Sequence, residues 1–165
     1  MAREMLIVQP ANTHIAQLNV GRAVDVLDGP RMAGFIGALD RVNAIAERSP
    51  GFVWRLQSDA GNATDIKLTD DPLFIINLSV WETQADLERF VWQTVHKRFY
   101  DQKAKWFEPH ADAHFVMWWV AAGHRPSAQE ALVKLDALRA DGPSPDIFGW
   151  ESIVDGELAG ARACG

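Results

Sequence analysis

Cysteine is almost absent from this sequence of 165 residues. The one cysteine, Cys164, precedes the last residue, so no disulfide can form within one chain and no cysteine-based metal site is available. His110 and His114 have a spacing that suits a metal pair on a helix, but they follow a proline and lead into a predicted strand. We therefore predict no metal site.

Clustered positive charge and long hydrophobic runs are also missing. The chain has 22 acidic and 16 basic side chains and a net charge of -6. Its densest basic stretch, residues 97–105, is interrupted by acids and aromatics, so we predict no nucleic-acid partner. The apolar run at residues 5–8 is far shorter than a signal-sequence core or a membrane span. We predict a cytoplasmic protein with no membrane partner.

Hydrophobic residues, at 48% of the chain, are abundant enough for one sizeable core. No linker-like segment divides the sequence. We predict a single domain over residues 1–153, followed by a flexible tail over residues 154–165, which is rich in glycine and alanine.

The most informative stretch is LFIINLSVWE, residues 73–82. In a strand, alternate side chains point to opposite faces, so Phe74, Ile76, Leu78 and Val80 form one wholly apolar face. The other face carries an amide and a hydroxyl among large hydrophobic residues; it consists of Ile75, Asn77, Ser79 and Trp81. This pattern predicts a central strand that is covered on both faces, one of which lines a site needing polar contacts.

The remaining periodicities predict an α+β fold. Strands are expected at 14–22, 52–58, 73–82, 114–121 and 148–153, and helices at 30–48, 83–100 and 127–141. The first six elements follow the split βαβ order of a ferredoxin-like fold, with an antiparallel sheet and helices on one face. The other face is apolar along residues 73–82, so we predict that a second copy covers it, which makes the protein a homodimer. The alternative is that the face with Asn77 and Ser79 lies in the dimer interface.

Polar side chains alternate with hydrophobic ones on three of the predicted strands. The pairs are Gln17 and Asn19, Arg55 and Gln57, and Asn77 and Ser79. If these strands are neighbours, the polar groups converge and orient a hydrophobic small-molecule ligand between sheet and helices. The alternative is a buried polar network that satisfies itself. Glu47 is expected to form an ion pair with Arg55, or else to hold a carboxylate against a substrate proton.

His96 is the best candidate for acid–base chemistry, because it lies on a predicted covering helix near Trp92 and Phe99. A half-buried structural histidine is the alternative. The predicted substrate-binding residues come from the strands, the helix at 30–48 and one loop; they are Asn19, Asn43, Arg55, Trp54, Asn77, Trp81, Trp118 and His124.

Several segments together resemble a known bacterial family. They are HIAQLNVGR, MAGFIGALDRVNAIAERSPGFVWRLQ, LSVWE, WFE at 106–108 and WWVAAGH, and they cover about residues 12–150. The chain resembles the family catalogued as domain of unknown function 3291. The resemblance implies the dimeric α+β barrel fold, whose members include antibiotic-biosynthesis-type monooxygenases, muconolactone-isomerase-like enzymes and haem-binding proteins.

Two kinds of function follow from that resemblance. The first is cofactor-independent oxygenation or isomerisation of a hydrophobic or aromatic metabolite, with His96 as acid or base and Asn43, Asn77, Arg55 and Trp81 around the substrate. The second is non-catalytic binding of haem, with His96 on the iron, or of a small metabolite. A third option is a structural dimer whose tryptophan-rich cavity is filled by its own side chains. The sequence leaves open whether the protein is an enzyme.

Overall fold

A computed structural model describes residues 6–57, 71, 73–94, 96–109 and 112–153, without the side chains of His96, Phe99 and Tyr100. The predicted tail at 154–165 lies outside the described residues. Within the described part, no helix is both long and apolar enough to cross a membrane.

Five antiparallel strands form one sheet in the order β2-β3-β1-β4-β5. The strands are β1 (Thr13–Arg22), β2 (Phe52–Arg55), β3 (Phe74–Trp81), β4 (Phe115–Ala121) and β5 (Ile147–Phe148). The helices are α1 (Ala33–Arg48), α2 (Gln84–Gln93), α3 (His96–Asp101), α4 (Lys103–Trp106) and α5 (Ala128–Asp141). The first four strands have the ferredoxin-like order, which confirms the predicted fold class.

Local signals in the sequence explain where the helices begin and end. Thr83 caps α2 by accepting a hydrogen bond from the Asp86 amide, and Ser127 caps α5 by accepting one from the Glu130 amide. After α1, the chain turns through Gly51, whose φ of 83° is accessible to glycine at little cost.

The two faces of the sheet are packed differently. Alternate residues of the central strands face α5 and form a dry cluster with it; these are Ala16, Leu18, Val20, Ile76, Leu78, Val80, Val116, Trp118 and Val120. The intervening residues, among them Ile15 and Trp81, face α1 and α2. The alternation predicted for residues 73–82 is therefore present, with one face wholly apolar and the other carrying Asn77 and Ser79.

The apolar face differs from the expectation that helices cover only one side. Residues Ala131, Leu135 and Leu138 of α5 pack on it, so the chain's own helix covers the region that we assigned to a second copy. Half-buried hydrophobic side chains remain on this face near the β2 edge, including Val53 and Trp54. The homodimer stays a prediction, which light scattering at micromolar concentration tests.

Three predicted elements are shorter than expected. The strand predicted at 52–58 ends at Arg55. The helix at 83–100 is interrupted, because Thr94 is extended and its hydroxyl donates back to the Phe90 carbonyl. The strand at 148–153 covers only Ile147–Phe148, and Trp150–Ser152 forms a 3-10 turn. The apolar stripe of the predicted helix continues through the break, so periodicity alone did not reveal it.

Candidate functional site

A cavity of about 450 Å³ lies between the sheet and helices α1, α2 and α4. Its size is within the usual range for small-molecule sites. Most of its wall is apolar, and aromatic rings come from every side; they belong to Phe35, Phe52, Trp81, Phe90, Phe107, Phe115 and Trp150. The cavity is therefore suited to a hydrophobic ligand with flat, unsaturated parts.

The sheet supplies a polar floor to this cavity. The Gln17 side-chain amide donates to Asn77 Oδ1 and to Ser79 Oγ, at 2.8 Å in each case. The indole Nε1 of Trp81 also donates to Ser79 Oγ, at 3.0 Å. Gln17 pairs with Ser79 across β1 and β3, so strand register brings the network together.

This network leaves two donor groups, the Ser79 hydroxyl and the Asn77 amide nitrogen, without an acceptor among the described residues. A hydroxyl accepts at most two hydrogen bonds and donates one. The Ser79 oxygen already accepts from Gln17 and Trp81, so its proton must point elsewhere, and no described residue accepts it. The Asn77 amide nitrogen likewise has no acceptor among the described residues, and this side chain is exposed although it lies on a central strand. Both donors belong to residues that line the cavity.

Asn43 adds a third polar group from the helix side. It occupies the buried stripe of α1, between Leu39 and Ala46, and lines the cavity. Its exposure is 8%, yet its amide makes no hydrogen bond within the described part of the chain. Its amide atoms keep some exposure toward the cavity, where a ligand can supply hydrogen-bond partners.

Charged groups border the cavity, and they are paired. Arg55 binds Glu47 with 2.8 Å between Nη2 and Oε1, which confirms the predicted ion pair. Glu108 binds Arg22 at 2.9 Å, and hydrogen bonds to Asp71 and Glu108 hold the pKa of Arg22 above its ordinary value. Because Arg55 and Glu108 are neutralised by the protein, and Lys103, the third charged lining residue, also has a partner, the groups left for a ligand are mainly neutral donors.

Five of the predicted substrate-binding residues line the same cavity. They are Asn19, Asn43, Arg55, Asn77 and Trp81, from three strands and one helix. The side chain of His96 lies outside the described residues, and the backbone places this residue at the start of α3. Its acid–base role stays a prediction, as do the binding roles of the five. His110 also lies outside the described residues.

Three other predicted residues lie elsewhere. Trp54 faces the α5 side, because a bulge in β2 between Phe52 and Trp54 breaks the alternation and turns Phe52 and Arg55 to the cavity. Trp118 is buried on the α5 side.

The third of them, His124, is half-exposed in the loop before α5, where its Nε2 lies 2.9 Å from Glu130 Oε1. This contact gives His124 a role in fixing the loop. Strand alternation cannot reveal a bulge, and the neighbours of a loop histidine become visible only in the folded chain.

Several lining residues were missed by sequence reasoning. Phe115 lies opposite Asn19 in the register of β1 and β4, and its ring stacks on Trp150 at a centroid distance of 5.2 Å. The β4 sequence is nearly continuous in hydrophobic residues, so it carries no polar marker of the cavity face. Phe107 is wedged between α1 and β1 by tertiary contacts alone.

A family model covers most of the chain. The model described as "Domain of unknown function (DUF3291)" matches residues 14–162. The chain belongs to this family. The resemblance seen in the sequence is thereby confirmed, and the family's description names no activity.

Other comparisons add only likenesses of shape. No curated protein is detectably similar in sequence. A protein of unknown function from Nitrosomonas europaea is similar with a TM-score of 0.47 and 11% identity, over 72% of this chain and 100% of the other. A second protein from the same organism, proposed to be an antibiotic biosynthesis monooxygenase, is similar with a TM-score of 0.46 and 17% identity, over 73% and 100%. Both TM-scores are low, and nothing about activity follows from them.

Proposed function

We propose that the protein is a small-molecule enzyme that holds a hydrophobic, aromatic metabolite by an oxygen atom in the sheet–helix cavity. The observation that carries the proposal is a set of donors that have no acceptor among the described residues and lie in a mostly apolar cavity: the Ser79 hydroxyl, the Asn77 amide and the Asn43 amide. Such donors bind a carbonyl or phenol oxygen, and they bind it more strongly when it gains negative charge.

The proposed reaction begins with the removal of a proton beside that oxygen-bearing group. The electron pair of the broken C–H bond moves onto the oxygen and forms an enolate, which the three donors stabilise. Return of the proton to another carbon completes an isomerisation, and reaction of the enolate with molecular oxygen as second substrate begins an oxygenation. His96 is proposed as the group that takes and returns the proton.

Hydrogen–deuterium exchange tests this first step without knowledge of the natural product. The probe is 2-tetralone, a neutral aromatic ketone with acidic C–H bonds, and NMR in D₂O follows exchange at the carbon beside the carbonyl. We expect the protein to accelerate exchange. Loss of one oxyanion donor, in Asn77→Leu or Asn43→Leu, should lower the acceleration about 10²–10³-fold. His96→Ala should lower it about 10²–10⁴-fold.

The possible outcomes separate an enzyme from a binder. Binding of the ketone without accelerated exchange would contradict catalysis and leave the non-catalytic binding of a small metabolite. If none of the tested aromatic ketones binds, the proposal as a whole is contradicted. An oxygen electrode then distinguishes oxygenation, which consumes O₂, from isomerisation, which does not.

Haem binding is the second prediction from the sequence, and it depends on His96. Of the described lining residues, only His114 carries an imidazole, and it already has a partner. The described residues therefore add no second candidate for an axial ligand to His96. A Soret band in the purified protein that disappears in His96→Ala would establish haem binding. Protein that shows no Soret band after incubation with haem and removal of the unbound haem would exclude it.

A further inference from the structure

The cavity extends along β1 and β3, from the part that contains the Ser79 hydroxyl to the part that contains Phe107. Ser79 and Gln17 pair at one end, and Ile75 and Gly21 pair at the other. Ile75 and Ser79 are four residues apart on β3, so the two ends are separated by about 13 Å along the strands. A ligand whose oxygen is bound at the Ser79 end extends toward the Gly21 end.

At the Gly21 end, the ring of Phe107 lies directly over the β1 backbone. A Cβ built on Gly21 would be 2.8 Å from the Phe107 ring, closer than real Cβ contacts allow. Gly21 therefore permits an approach that no other residue would permit without displacing the ring. From the other side, the ring packs edge-on against Phe35 of α1, with 5.2 Å between the centroids.

The backbone around Phe107 is fixed as well. Phe107 forms an isolated antiparallel bridge with Ala23, and the Glu108 amide donates to the Arg22 carbonyl at 2.9 Å. The ion pair between Arg22 and Glu108 reinforces this contact. Unlike a ring on a free loop, the Phe107 ring cannot easily move aside for a longer ligand.

We infer that Phe107, seated on Gly21, sets the greatest length of ligand that the cavity accepts. This inference rests on the proposed function, because it assumes that the ligand is anchored by an oxygen at the Ser79 end. The substrate class is then a neutral aromatic ketone or phenol whose apolar part reaches no farther than Phe107. Phe107 acts through shape alone and is a specificity-determining residue.

A homologous series of phenyl alkyl ketones, from acetophenone to octanophenone, measures this limit. Isothermal titration calorimetry gives the affinity of each ketone for the full-length protein. We expect affinity to rise about fourfold for each added methylene while the chain finds apolar wall, and then to stop rising at a definite chain length. That chain length is the quantity that the variants should move.

Variants at position 107 should move the limit in both directions. Phe107→Leu and Phe107→Ala should shift it to longer ketones, the alanine variant by more, and Phe107→Trp should shift it to shorter ones. Two substitutions of different size keep the test valid if Phe107→Ala fails to fold. Circular dichroism and thermal unfolding establish that each variant is folded.

The control is Phe148→Leu, which truncates a fully buried ring that does not line the cavity. It should lower stability and leave the length limit where it is. A limit that moves in this control, or that stays the same in all Phe107 variants, would overturn the inference while the proposed binding stands. If no ketone of any length binds the wild-type protein, both the proposed function and this inference are wrong.

Discussion

The two faces of the central sheet differ in how completely they are filled. On the face toward α5, interlocked hydrophobic side chains leave one described indole donor, Trp118 Nε1, without a partner. On the face toward α1 and α2, the same strands present Gln17, Asn77 and Ser79 to a cavity of about 450 Å³. One face is therefore packed like a core, and the other is built around an empty space.

This difference assigns separate tasks to the two faces. Burial of apolar surface against α5 stabilises the fold. The cavity face gives up part of that stabilisation, because a cavity interrupts its packing and the Asn43 amide has no hydrogen-bond partner among the described residues. Functional sites commonly lower the stability of a protein in this way. The different tasks of the two faces can be tested by comparing the stabilities of variants with substitutions on each face.

The largest effect is expected on the packed face. Leu135→Ala removes a side chain of α5 that is only 1% exposed, and it should lower the free energy of unfolding by about 2–5 kcal/mol. Urea denaturation measures this change. The control is Val133→Ala on the same helix, where the side chain is 64% exposed and the change should stay within about 0.5 kcal/mol. Equal effects at the two positions would show that α5 does not close this face.

A smaller loss is expected for the polar floor of the cavity. Ser79→Ala removes the acceptor for Gln17 and Trp81, and each donor left buried without a partner is costly, so stability should fall by about 1–3 kcal/mol. A double-mutant cycle with Trp81→Phe isolates the bond to the indole. If the two effects simply add, the hydrogen bond between Trp81 and Ser79 contributes nothing to stability.

Substitution of Asn43 is expected to raise the stability of the protein, in contrast to the two substitutions above. Asn43→Leu replaces an amide that is only 8% exposed and has no hydrogen-bond partner among the described residues with an apolar side chain of similar size and better helix propensity, so the free energy of unfolding should rise by about 1 kcal/mol. Asp40→Leu on the exposed side of α1 controls for propensity, since Asp and Asn are similarly poor helix formers. A loss of stability in Asn43→Leu would mean that the amide serves the fold rather than a ligand.

The smallest effect is expected at the ion pair on the rim. Glu47 is 45% exposed, so Glu47→Gln should lower stability by less than about 1 kcal/mol, and the difference should shrink at high salt. Urea denaturation at two salt concentrations measures both. A large loss of stability that does not change with salt would instead indicate that Arg55, which is 12% exposed, behaves as a buried charge and needs the Glu47 carboxylate to compensate it.

Sequence patterns were sufficient for most of the fold. The alternation of residues 73–82 predicted two buried faces of different character, and the order of elements predicted the ferredoxin-like topology. Capping residues such as Thr83 and Ser127 marked helix starts correctly. These features are local or depend on simple periodicity, so they can be recognised before any contact between distant residues is known.

Other features depend on contacts that the sequence does not encode locally. The bulge in β2 reverses the faces of Trp54 and Arg55, and only pairing with β3 reveals it. Similarly, α5 was recognised as a helix, but the face that it covers is decided by packing.

The chemistry of the site divides in the same way. Alternation along β1 and β3 was enough to mark Gln17, Asn19, Asn77 and Ser79 as one polar group, because strand geometry has a period of two. Tertiary packing decides three other features. The Ser79 hydroxyl has no acceptor among the described residues, Asn43 has no hydrogen-bond partner among them, and the Phe107 ring lies against Gly21. Periodicity assigns a side chain to a face, whereas its hydrogen-bond partners and the empty space beside it are set by residues far away in the chain.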